Sequence, residues 1–143
     1  MSIFPTKILL ATDGSKDAEL AATTAADLAN STNSELHVVT AAGGRAYNTG
    51  SPGEVEDLQQ RAQKVVEEQV QKIEEVGGKV AETHVRVVSE HRAEAIVDVA
   101  EELGAGLIVM GSRGLGGLRR ALMGSVSDSV VRHAHCPVMI VRH

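Results

Sequence analysis

Tryptophan is absent from the 143 residues, and tyrosine and phenylalanine occur once each. Single-stranded nucleic acids are held largely by stacking bases on aromatic rings, so that mode of binding has no platform here. Positive charge is also scarce. Fourteen Lys and Arg against 19 Asp and Glu give a formal net charge of -5, which argues against a partner bound through its phosphate backbone. The single cysteine, Cys136, cannot form an internal disulfide and fits a reducing compartment. No apolar run approaches the ~20 residues that cross a bilayer. The opening Met1-Ser2-Ile3-Phe4-Pro5-Thr6-Lys7 lacks the apolar stretch of a signal peptide. The expected location is therefore the cytoplasm, with neither a membrane nor a nucleic acid as partner.

What is present is enough apolar material for a core, 43% of residues, at a length that fits one domain over residues 1–143. The pattern alternates. Lys7 to Thr12 is a short apolar strand, and Lys16 to Ala29 reads as a helix whose Ala18, Ala21, Ala22, Ala25 and Leu28 form a narrow face for close packing. Glu35 to Thr40 returns to strand, and Ala42 to Gly53, with four glycines and a proline, reads as a loop. Val55 to Val76 is a long amphipathic helix ended by Gly77-Gly78. Ala81 to Val88 is strand, Ala93 to Leu103 helix, Leu107 to Met110 strand, Ser125 to His133 helix and Val138 to Val141 strand. Five strands with interposed helices predict an α/β fold, a doubly wound parallel sheet with helices on both faces.

The strongest local signal follows the fourth strand. Gly111-Ser112-Arg113-Gly114 is separated by nine residues from Gly124-Ser125-Val126-Ser127 at a helix start. A strand that runs into a glycine-rich loop and then a helix presents backbone N–H groups to an anion, and the helix dipole favours negative charge there. The P-loop is excluded, because Gly116 is followed by Gly117-Leu118 rather than by Lys and Ser or Thr. The dinucleotide fingerprint is excluded as well, since the first strand is followed by Asp13-Gly14-Ser15 and no glycine cluster. A flexible glycine-rich connection is the bland alternative.

The spacing Gly-x2-Gly-x9-Gly-Ser resembles the ATP-binding signature of the universal stress protein family. Lys7 to Ser15 looks like that family's first strand and Asp turn, Leu36 to Val39 like its second strand, and His135 to Val141 like its closing strand. The likeness spans nearly the whole chain and is weakest from about Thr40 to Glu54. It implies strand order 3-2-1-4-5 and a pocket for ATP, ADP or AMP between the first and fourth strands. In that resemblance Ala11, Thr12, Val38 and Met110 enclose the adenine. Asp13 accepts from the ribose or holds a magnesium ion that bridges phosphates, while Gly111, Arg113, Gly114, Gly124, Ser125, Val126 and Ser127 form the phosphate site. It further implies a homodimer through the final strand, whose Val138 to Val141 run carries no edge-blunting charge.

Several of these residues have a plainer reading. Asp13 is equally a helix cap or turn former, Val38 equally strand core, and Arg113, Arg119 and Arg120 equally solvated loop arginines. Glu90 stands where the family usually has glycine, near the pocket rim, where it repels phosphates or pairs with Arg92 or Arg113. His133 and His135 straddle a helix end without a carboxylate or thiolate cluster, which speaks against zinc. His37 reads as a satisfied core or sheet-surface residue, and Cys136 as a small buried one. No obvious base for activating water stands out. The leading expectation is an adenine-nucleotide-binding sensor or scaffold of stress response; the alternative is a slow ATPase or nucleotidyl transferase on the same architecture.

Overall fold

The computed structural model describes residues 2–43, 52–112 and 124–142. Five strands, β1 (Lys7–Ala11), β2 (Glu35–Gly43), β3 (Glu82–Val88), β4 (Leu107–Gly111) and β5 (Val138–Val141), alternate with four helices, α1 (Lys16–Thr32), α2 (Pro52–Glu75), α3 (Arg92–Leu103) and α4 (Ser125–His133). All strand pairings are parallel, in the order β3-β2-β1-β4-β5. The central strands are apolar at nearly every position because both of their faces are covered.

The strand period of two divides the core into two layers. Ile8, Leu10, Leu36, Val38, Leu107 and Val109 pack with the alanines of α1 and with Val66 and Ile73 of α2. Leu9, Ala11, Val39, Ile108 and Met110 pack with Ala93, Ile96, Val97 and Ala100 of α3 and Val130 of α4. The crossovers after β1 and β2 thus lie on one face and those after β3 and β4 on the other, as right-handed connections require where the winding reverses.

The small residues of α1 have a further use. Ala18, Ala21, Ala22, Ala25, Ala26 and Ala29 are all buried, so the helix backbone settles close to the sheet. At Gly111 a Cβ would stand 2.8 Å from Asp17 Cβ and 2.9 Å from its carbonyl carbon. Only a glycine lets β4 end directly under the first turn of α1.

Three boundaries differ from the sequence reading by three residues each. Helix α1 runs on to Thr32 through three polar, poor helix formers whose side chains are all engaged: Ser31 Oγ and Thr32 Oγ1 bond back to Leu28 O at 3.3 and 2.7 Å, and Asn30 Nδ2 donates to Gly77 O at 3.3 Å. Strand β2 continues to Gly43 instead of stopping at Thr40, since Ala41, Ala42 and Gly43 keep register with Arg86, Val87 and Val88. The expected loop thus loses residues at both ends, as Pro52 is the first residue of α2, where its fixed φ suits a helix start. Residues 44–51 lie outside the described part of the chain.

Helix α3 begins under strain. His91, the residue before it, has φ 61° and makes no side-chain cap, and left-handed backbone costs a residue with a Cβ about 1 kcal/mol or more. Its ion pair with Glu90 is exposed on both sides and adds little. His91→Gly is expected to raise the melting temperature by about 2 °C, because relief of strain outweighs the added chain entropy. His91→Val is expected to lower it, by about 1 kcal/mol of stability. Thermal unfolding followed by circular dichroism measures both, and equal melting temperatures for the two variants would contradict the strain.

Candidate functional site

Ala11 pairs with Met110, so the carboxyl ends of β1 and β4 lie side by side. The winding reverses between these two strands, the point at which an open α/β sheet forms its ligand crevice. Thr12 lies at its base, 6% exposed. Its N–H donates to Val39 O at 3.0 Å, and its carbonyl accepts from Thr40 Oγ1 at 3.0 Å. Its hydroxyl donates to Gln69 Oε1 at 2.7 Å and accepts from the Gly14 N–H at 3.2 Å. Four bonds therefore tie this residue to β2, to α2 and to its own turn. Gln69 itself is buried, and its Nε2 has no hydrogen-bond partner among the described residues.

Asp13 follows, half-exposed, with Oδ1 accepting from the Ser15 N–H at 2.9 Å. This local turn sets Ser15 as the N-cap of α1, and Ser15 Oγ accepts from the Ala18 N–H at 3.3 Å. Of the two plain readings of Asp13, the turn former is the one observed; the cap belongs to Ser15.

Across the crevice, Ser112 joins three elements. Its N–H donates to Val141 O at 3.1 Å, and its hydroxyl donates to the buried Asp17 Oδ2 of α1 at 2.9 Å. Its carbonyl takes the Gly124 N–H at 2.6 Å and is within 2.9 Å of Ser127 Oγ. The stretch between Ser112 and Gly124 is thereby closed at its base, and the amino ends of α1 and α4 converge on one residue. Ser112 was not singled out from the sequence; a serine directly after a buried strand was the available signal.

Gly124 caps α4 in an extended conformation and supplies no side-chain acceptor to the first turn. The N–H groups of Ser125, Val126 and Ser127 occupy the positions that an α-helix leaves without intrahelical acceptors. The two serines differ in role. Ser127 is buried and its hydroxyl turns back to Ser112 O and Gly124 O, whereas Ser125 is exposed. Arg113, Gly114, Arg119 and Arg120 lie outside the described residues.

The expected adenine wall divides. Ala11 and Met110 share the α3–α4 layer. Val38 does not join them, being fully buried in the opposite layer with Leu10 and Val109. The pleat places its side chain in the strand core on the other face of the sheet. Ala41, which packs on the same layer as Ala11 and Met110, stands nearer the carboxyl end of β2. Its position became visible only with the register of the sheet. Glu90 pairs with His91 at 3.4 Å and, among the described residues, with no arginine.

The minor candidates stay apart. His135 Nδ1 meets Glu101 Oε1 at 2.6 Å, while His133 Nδ1 faces Ser129 O at 2.8 Å, so the pair shares no centre. Burial pushes the Cys136 thiol up, away from reactive thiolate character.

A doubly wound sheet with a helix-flanked crevice at its switch point defines a broad class of α/β domain. Within that class, the model of the universal stress protein family matches residues 5–142. A universal stress protein of Methanocaldococcus jannaschii is 34% identical over 142 residues, covering 95% of this chain and 81% of the relative. Among solved structures, a universal stress protein from Archaeoglobus fulgidus in complex with dAMP matches at TM-score 0.71 and 27% identity, covering 99% of each chain. A universal stress protein in complex with cAMP matches at TM-score 0.73 and 26% identity, covering 97% of this chain and 98% of that one. The chain belongs to the universal stress protein family.

Thr12→Val keeps the shape but strips the base of the crevice of its hydroxyl, leaving Gln69 Oε1 and the Gly14 N–H without it. The expected loss of stability is about 2 kcal/mol. Urea unfolding checks this, and a loss below about 0.5 kcal/mol would show that the polar cluster relaxes freely.

Proposed function

We propose that this protein binds an adenine nucleotide, ATP with ADP and AMP as alternatives, in the crevice between β1 and β4, and acts as a sensor or scaffold in stress response within the cytoplasm. The observation that carries this reading is the glycine-capped amino end of α4, drawn by Ser112 against the amino end of α1 beside the crevice. Phosphates meet the first-turn N–H groups of Ser125, Val126 and Ser127 there, in the positive end of the helix dipole. Ser125 adds an exposed hydroxyl, and Arg113 and Gly114 of the connecting stretch complete the phosphate site. Ala11 and Met110 line the base side, with Ala41 of the same layer beside them.

Asp13 faces the ribose or a magnesium ion that accompanies the phosphates. Its carboxylate fits either role, since an oxygen ligand is what a hard cation requires. The nucleotides bound by the relatives support the adenine class. Among the described residues no helix is long and apolar enough to cross a membrane.

Gly124→Val tests the phosphate site. The native φ of -67° and ψ of 158° are open to valine, so stability is expected to fall by no more than about 1 kcal/mol through the poorer cap. ATP affinity is expected to fall at least tenfold, which is about 1.4 kcal/mol. Titration calorimetry reads the affinity. An unchanged affinity in a folded variant would remove the site from α4.

The same reading includes a homodimer through β5. That strand is a sheet edge beside β4, and its four residues are only half-buried. Met139 and Val141 pack on one core layer, Val138 and Ile140 on the other. The backbone edge, rather than one side-chain face, is thus the element open to a two-fold copy. Light scattering is expected to give twice the chain mass at high micromolar concentration; a monomer would refute the pairing.

A further inference from the structure

At the opposite end of the sheet, three potential ligands gather. His37 of β2 is directly paired in register with Glu82 of β3, and His84 follows Glu82 by two residues, so all three project to one face. Their ligand atoms lie within 4.8 Å of one another. His37 Nδ1 is 3.4 Å from His84 Nε2 and 3.7 Å from Glu82 Oε1. Two ligands held at 2.0–2.1 Å by a tetrahedral zinc ion stand about 3.3 Å apart, so the spacing needs only small side-chain rotations.

The fourth member sets the chemistry. Glu35, two residues before His37 on the same strand, has Oε1 3.2 Å from His37 Nε2. A carboxylate that accepts a hydrogen bond from Nε2–H leaves the lone pair on Nδ1, the nitrogen that faces His84 and Glu82. His37 is 2% exposed, which holds its ring in place, whereas Glu35 and Glu82 reach solvent at 61% and 65%. Two carboxylates and two imidazoles converge where a single proton is all that a bridge between the rings can hold. On the far rim, Arg86 is already engaged by Glu102 at 3.3 Å.

We propose that His37, Glu82 and His84 bind a zinc ion, with Glu35 as the carboxylate that orients His37. Nitrogen and carboxylate donors suit zinc among the biological divalent ions. An open fourth position at the exposed side would carry water. The ion would bridge β2 to the edge strand β3 and neutralise the two carboxylates, as a fastener of that sheet edge. This site stands about 13 Å along β2 from Ala41, four residues at strand rise, and does not depend on nucleotide binding.

The test is calorimetric titration of zinc chloride into metal-stripped protein, with the melting temperature measured with and without zinc. One zinc per chain is expected, together with a rise in melting temperature. His84→Ala and Glu82→Gln are each expected to weaken zinc at least tenfold, and Glu35→Gln by about tenfold while all three ligands remain. His135→Ala is expected to leave affinity unchanged. Cobalt substitution adds a spectroscopic reading: the intense visible absorption of a tetrahedral site should appear in the unmodified protein and vanish in Glu82→Gln, which alters only an exposed side chain. The proposal is overturned if the unmodified protein takes up no zinc, or if folded His84→Ala or Glu82→Gln binds as tightly as the unmodified protein. In that case the cluster is a hydrogen-bond network only.

Discussion

Ser112 holds the working end of this molecule together. It leaves β4 with its N–H given to Val141 of β5, sends its hydroxyl to Asp17 of α1, and offers its carbonyl to Gly124 and Ser127 at the start of α4. A buried polar residue is tolerated only when its groups are satisfied, and here satisfying them requires α1, α4 and β5 to meet. The convergence of two helix amino ends beside the crevice follows from that requirement. Gly111 makes it sterically possible, because a Cβ there would strike Asp17 and lift α1 from the strand end.

The other side of the crevice is built by the same means. Thr12 follows β1 with its hydroxyl and both backbone groups bonded, linking β2 through Val39 and Thr40 and α2 through Gln69. Thr12 and Ser112 are thus each tied to neighbouring elements by several hydrogen bonds, which leaves little ordering to be done at these two positions. The crevice belongs to the strand ends, while the apolar layers beneath it make the sheet a stable platform. Charge is distributed in the same sense: the positive ends of two helices face the crevice, and the acidic Glu35 and Glu82 lie at the amino end of the sheet.

Most of the architecture was legible in the sequence. Short apolar runs such as Leu107 to Met110, set between amphipathic stretches, are the pattern that a sheet buried on both faces imposes on a chain. The glycine and serine spacing after β4 marks the start of α4 in the sequence itself. Boundaries were less legible where side chains compensated for poor propensity, as at Asn30 to Thr32, or where pairing with β3 extended β2 to Gly43. Arg113 and Gly114, part of the expected site, lie outside the described residues.

The sequence by itself determined the class of fold, the family and the place of the phosphate signal, because each rests on local periodicity or on spacing along one segment. Only the tertiary structure decided which side chains face the crevice. Val38 and Ala41 are both small apolar residues of β2, and the pleat together with the register against β1 sends them to opposite layers. Likewise His37 and His84, 47 residues apart, become neighbours only through the pairing of β2 with β3. Contacts between strands depend on register, and register is a property of the assembled sheet rather than of either segment.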